Sequence, residues 1–150
     1  MKRLIFVLYI TLLPLTLFAE NDAKIVYRDS ILAVAERILS DTGRIFYLQK
    51  TAYCHQYLPY NKYFAAALYE EAKLRKNLFY ENEGAYYLAG YYDKKHDPDS
   101  LTYWVNELKK YAPEVGTYDY YLEQKAAISR ALASKRQVEK AVYIAKEALK

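Results

Sequence analysis

The chain has 150 residues, 53% of them hydrophobic and 27% charged, with only four glycines and four prolines, which excludes a disordered polymer and fits one domain with its own core. Its formal charge is +4, but removing Lys2 and Arg3 with the leader described next leaves 20 basic against 18 acidic residues, or +2. These charges are interspersed rather than gathered into a basic stripe, so no nucleic-acid partner is expected.

Met1-Lys2-Arg3 precedes an apolar stretch from Leu4 to Phe18, then Ala19 and the polar run Glu20-Asn21-Asp22. A positive end, an apolar stretch and a small residue make the three-part plan of a secretory signal peptide, so residues 1–19 are read as a leader cut after Ala19. Leu17 stands where a second small residue is preferred, and an uncleaved membrane anchor is the alternative. Pro14, and a length short of the roughly 20 apolar residues a spanning helix needs, weigh against it. The mature chain, residues 20–150, is therefore expected outside the cytoplasm, periplasmic or extracellular. Membrane contact is expected only through an uncleaved leader or a C-terminal continuation. Cys54 is the single cysteine. In an oxidising compartment it has no internal partner, which favours a buried thiol over an intermolecular disulfide.

Ile31, Val34, Ala35, Ile38 and Leu39 recur at helical spacing and predict a first helix over 22–40, stopped by Asp41-Thr42-Gly43. Phe46, Leu48, Ala52 and Tyr53 predict a second helix from Arg44 to Tyr57, ahead of Pro59. A third runs from Asn61, read as its N-cap, toward Asn77, and a fourth from Asn82 to Lys94. His96-Asp97-Pro98 reads as a turn in which Asp97 caps a fifth helix and Pro98 takes its first position. That helix is predicted over Asp99–Tyr111, ending before Pro113. Thr117 is read as the N-cap of a sixth, Tyr118 to Ser134, and a seventh covers Arg136 to Lys150. No segment shows strand alternation. The fold class is all-α, about seven helices after the leader, either an irregular bundle or stacked antiparallel hairpins.

Self-similarity favours the stack. Between Asn82 and Val115 stand Leu88-Ala89-x-x-Tyr92, then Leu101-x-x-x-Val105, Leu108 and Pro113, which resembles the tetratricopeptide repeat, a helix-turn-helix unit of about 34 residues. Ala85 stands where that family has tryptophan and Ala89 where it has glycine. Ala65, Tyr69 and Ala72 repeat the second-helix spacing upstream, as do Ala141, Ala145 and Ala148 downstream. The leader, the Asp29-Ser30-Ile31-Leu32 opening and the tyrosine-rich repeats are similar to the sensory portions of exported tetratricopeptide regulators of Bacteroidota. The resemblance implies a scaffold that binds a protein or peptide as the input part of a longer signalling protein, a reading that suits a chain reaching Lys150 without a polar capping helix.

The resemblance also implies that the first helix of each unit lines a concave groove. The groove positions are then Glu83, Tyr86, Gly90, Asp93 and Lys94 in the clear unit. They are Tyr47, Lys50, Cys54 and Tyr57 upstream, and Thr117, Tyr120 and Gln124 downstream. Tyr86 and Tyr120, flanked by Lys50, would offer rings with hydroxyls to a peptide, with packing between helices as the alternative role. Tyr86 and Gly90 occupy positions where carboxylate-binding members need lysine and asparagine, so acidic chain termini are not expected ligands.

Nothing in the chain assembles catalytic chemistry. Cys54 and His55 are neighbours pointing about 100° apart on a helix, which suits neither a nucleophile–base pair nor a metal pair. Glu70, Glu71, Glu81 and Glu83 are spaced as solvated helix faces. No phosphate loop, Gly-x-Ser-x-Gly or His-Glu-x-x-His motif is present. A non-catalytic protein without cofactor or metal is expected; the alternative is a helical enzyme or small-ligand carrier whose site the sequence hides.

Overall fold

The structure, a computed structural model, describes residues 24–148, so the leader, its cleavage site and the last two residues of the seventh predicted helix lie outside the described residues. The chain divides into two units, one ending at Arg37 and the other starting at Ile38. The described part of the first is a single helix, α1, over 24–37. The second holds α2 (Asp41–Cys54), α3 (Asn61–Leu74), α4 (Leu78–Lys94), α5 (Pro98–Val115), α6 (Tyr118–Ser134) and α7 (Val138–Ala148). The described residues form seven helices and no strand, and none of these helices is long and apolar enough to cross a membrane.

Helices α2 to α7 pack in chain order as antiparallel neighbours, the architecture of a helical-repeat stack. Within it the backbones of α2 and α4, and of α4 and α6, come close to each other, whereas α3 reaches α5 through the Tyr69 side chain, which donates to Glu107 at 3.0 Å and packs edge-on to Trp104. One row of helices is thus closer together than the other, and the stack bends toward α2, α4 and α6. Phe64 and Leu68 of α3 and Leu101 and Leu108 of α5 are fully buried between the rows. Each such side chain stabilises the fold by roughly 1.5–3 kcal/mol.

Gly84 sets the approach of α3 to α4: a Cβ there would lie 2.8 Å from the Tyr69 backbone. Near it Asn82, almost fully buried, joins three helices. Its Nδ2 donates to the Leu108 carbonyl at 2.9 Å, and its Oδ1 accepts the Thr117 hydroxyl at 2.6 Å.

Four turns share one geometry. Lys76, His96, Gly116 and Arg136 have φ of 55°, 52°, 74° and 61°. In each case the following amide reaches back five residues: Asn77 to Ala72, Asp97 to Tyr92, Thr117 to Ala112 and Gln137 to Leu132, at 2.9–3.1 Å. This is the left-handed C-terminal closure that satisfies the last carbonyls of a helix. It recurs every twenty residues, giving hairpins that start forty residues apart, at Leu78 and Tyr118. The expected unit of about 34 residues is not the spacing of this stack, because α4, α5 and α6 have 17, 18 and 17 residues against 14 in α2 and α3.

Several predicted boundaries are corrected. Asp41-Thr42-Gly43 is the first turn of α2, not a stop, because the Ser40 side chain accepts the Gly43 amide. Tyr60, not Asn61, caps α3, and Asn61 is buried at its first position. Asn77 caps α4 through the Tyr80 amide, so that helix starts four residues before Asn82. Pro113 lies inside α5 rather than beyond it; it sits exposed in the final turn, where the Thr117 amide closes the helix on the Ala112 carbonyl. Asp97 caps α5 as expected, accepting from the Ser100 amide, with Pro98 at the first position.

Candidate functional site

On α4, Gly90 lies four residues after Tyr86, and Asp93 and Lys94 lie three and four after Gly90, so these residues share one helix face. That face, with Gln124 of α6 and the segment after α2, encloses a pocket of about 160 Å³ on the bent side of the stack. Tyr57, Tyr86 and Tyr87 supply aromatic walls, and Asp93, Lys94 and Glu123 supply charge. Gly90 is its open floor: a Cβ built there meets no atom within 4 Å.

The walls are held from outside. Tyr86 stacks on Tyr120 with ring centroids 4.5 Å apart, and its hydroxyl donates to Glu123 Oε2 at 3.0 Å. Burial, reinforced by that bond to a carboxylate, pushes the Tyr86 phenol up to about 12. Tyr87 donates to Glu83 Oε1, which also accepts from Gln49 Nε2 at 3.1 Å. Burial and then Glu83 raise the Tyr87 phenol as well. Both phenols are therefore neutral donors across the physiological range, committed to carboxylates.

At the rim Lys94 Nζ donates to the Gln56 carbonyl at 2.7 Å and lies 4.2 Å from the centre of the Tyr57 ring. Burial lowers its pKa, partly offset by Asp93. Asp93 is bridged by Arg130 at 3.3 Å, an exposed pair worth little to stability. Of the buried acceptors without a partner among the described residues, Gln124 Oε1 belongs to a residue of the pocket wall and Glu83 Oε2 to the carboxylate that anchors Tyr87.

Of the groove positions taken from the sequence, Tyr57, Tyr86, Gly90, Asp93, Lys94 and Gln124 line this pocket. Tyr120 backs Tyr86, and Glu83 anchors Tyr87. Tyr47 and Lys50 do not line it; Lys50 extends over the Phe46 ring of its own helix, and Lys94 takes the flanking place expected of Lys50. Thr117 is not a groove residue. It is buried, forms no side-chain cap, and spends its hydroxyl on Asn82. Cys54 is exposed rather than buried, since it ends α2 on the solvent side.

Sequence reasoning missed Gln56, Tyr87 and Glu123. Glu123 meets Tyr86 across 37 residues and Gln56 contributes a backbone carbonyl, so neither leaves a local signal. Tyr87 had one, as the neighbour of Tyr86 on a helix already assigned to the groove.

The pocket lining includes no serine, cysteine or histidine, and the His55 ring packs edge-on to Phe64 at 5.1 Å, outside the pocket. Among the described residues no group of three His, Cys, Asp or Glu is placed to hold a metal ion. A wider depression of about 480 Å³, lined by Thr102 of α5, Ile128 and Leu132 of α6 and Tyr143 of α7 among others, is more open to solvent than the first. Compared with known proteins, the chain matches no family model, no curated protein and no solved structure.

Proposed function

We propose that this chain is a non-catalytic helical-repeat scaffold that binds a protein or peptide along the α2, α4 and α6 face. In this reading it is exported and serves as the sensory part of a signalling regulator, as its resemblance to exported tetratricopeptide proteins implies. The observation that carries the binding proposal is the pocket between α4 and α6, whose tyrosines are fixed by carboxylates before any ligand arrives. Rings held in one orientation lose little entropy on binding, which is how aromatic grooves gain affinity for peptides. The bend of the stack toward the same three helices supports the reading, because it gathers their side chains on one surface.

Selection of a displayed random-peptide library on the full chain tests it. Enriched peptides should bind the wild type and lose affinity for Tyr86→Ala, while circular dichroism of the variant stays unchanged. A library that enriches nothing, or peptides indifferent to Tyr86 and Tyr120, would sink the scaffold proposal. Mass spectrometry of the mature N-terminus tests export: a chain starting at Glu20 supports it, and one retaining Met1 supports the membrane-anchor alternative.

A further inference from the structure

Gly90 has no folding reason to be glycine. It lies within α4, where glycine is less favourable than alanine by about 1 kcal/mol, its φ is not positive, and no neighbour would meet a Cβ. Gly84, six residues earlier on the same helix, has such a reason in the Tyr69 backbone. What the missing side chain at Gly90 preserves is the open space of the pocket.

We propose that this pocket is a subsite for a guanidinium group, carried as an arginine side chain by the peptide that the scaffold binds; the inference rests on the scaffold reading above. The size selects a small group: at about 160 Å³ the pocket falls below the roughly 300 Å³ at which drug-sized pockets begin. The chemistry selects a donor. Gln124 is only 5% exposed and its Oε1 is unpartnered, while Glu123 has one oxygen on the Tyr86 hydroxyl and a second to offer. The Tyr86 and Tyr87 hydroxyls already donate to carboxylates, so they are not available to an acceptor ligand.

Charge points the same way. Glu83, Asp93 and Glu123 outnumber Lys94 and Arg130 by one, and both cations are engaged, Lys94 with Gln56 and Tyr57, Arg130 with Asp93. A planar guanidinium suits this set better than an ammonium, because it presents a fork of donors to a carboxylate while its face lies on a tyrosine ring. The Lys94 ammonium over Tyr57 shows that a ring of this pocket already takes a cation.

The test titrates the full chain with N-acetyl-arginine amide and with the neutral isostere N-acetyl-citrulline amide, following backbone amide shifts by NMR. Arginine amide should bind at least about tenfold more tightly, the scale of one charge-assisted hydrogen bond. Glu123→Gln should narrow that ratio. Gly90→Leu should abolish binding, and Gly90→Ala weaken it, with unchanged circular dichroism. Equal affinity for the two amides, or a Gly90→Leu variant that binds as the wild type does, overturns the subsite. Selected peptides that bind without arginine and ignore Gly90→Leu likewise overturn it while leaving the scaffold intact. Arginine amide binding as tightly as any arginine-containing peptide confirms the subsite and removes the scaffold reading instead.

Discussion

Replacing each of the two interior glycines of α4 by alanine gives the same chemical change in opposite surroundings. The intrinsic gain is shared: alanine stabilises a helix interior by about 1 kcal/mol over glycine. At Gly90 nothing opposes that gain, since the new methyl meets no atom within 4 Å, so Gly90→Ala should stabilise by about 0.5–1 kcal/mol. At Gly84 the methyl would sit 2.8 Å from Tyr69 Cα and N, against the roughly 3.5–4 Å at which carbon atoms are in contact. Backbone cannot rotate aside as a side chain can. Helices α3 and α4 must separate by several tenths of an ångström, disturbing Phe64 and Leu68, which are fully buried in the same layer. Overpacking of that kind costs about 1–3 kcal/mol, leaving Gly84→Ala destabilising by up to about 2 kcal/mol after the helix gain. Urea unfolding followed at 222 nm reads both. With slopes of about 1–3 kcal/mol per molar, the two midpoints should separate in opposite directions from the wild type by a few tenths of a molar or more. Two shifts of the same sign would refute the account, because they would mean that α3 does not approach α4 at Gly84.

The buried bridge from Asn82 to Thr117 should show as coupling. In a double-mutant cycle of Asn82→Ala and Thr117→Val, unfolding free energies should miss additivity by about 1–2 kcal/mol, and additivity within about 0.3 kcal/mol would remove the bridge. Glu81 is buried in the first turn of α4 and its pKa is raised by that burial, with Glu107 and Glu70 adding to the rise and Lys73 and Lys110 opposing it. Folding therefore favours the protonated acid, and this contribution is full below the unfolded pKa and lost as pH rises through the folded one. Glu81→Gln should accordingly be more stable than the wild type at neutral pH, with the gap closing as pH falls below the carboxylate range; a gap that widens in acid would reverse the sign of the argument. His96 adopts a left-handed conformation that suits glycine, so His96→Gly should raise the urea midpoint by the equivalent of up to about 1 kcal/mol, and a lowered midpoint would speak against strain at that turn.

The helices were legible because apolar residues recur at helical steps and because turn chemistry is local. Asp97 followed by Pro98 specifies a helix start whatever surrounds it. Errors fell where a residue type has two local uses. Asp41-Thr42-Gly43 can stop one helix or open the next, and only the Ser40 side chain, accepting the Gly43 amide, decides. Asn82, read as the start of a helix, instead carries a buried amide one turn inside α4, where the Leu108 carbonyl and the Thr117 hydroxyl, brought in by other helices, hold it. At the site, the resemblance named Tyr86, Gly90, Asp93 and Lys94, and helix phase keeps them together on one face of α4. It could not supply Glu123 or Gln56, whose places depend on how α6 and the end of α2 pack against that face.

The twenty-residue beat explains why the sequence shows one clear repeat where the backbone shows several. The beat is enforced by few atoms: a left-handed residue at 76, 96, 116 and 136, followed by Asn77, Asp97, Thr117 and Gln137. Three of those four left-handed residues follow a basic residue, in Arg75-Lys76, Lys95-His96 and Lys135-Arg136. Positive charge at a helix C-terminus complements its dipole, which offsets part of the strain of the left-handed turn. Once helix length is fixed this way, residues forty apart return to the same face without having to be identical. Glu83 and Glu123 are such a pair, and each accepts a tyrosine hydroxyl, from Tyr87 and Tyr86. Gly84 and Gln124 are another, but there one position serves packing against α3 and the other faces the pocket. Backbone regularity thus leaves the inner face free to differ from hairpin to hairpin, and the pocket beside Gln124 is built from that freedom.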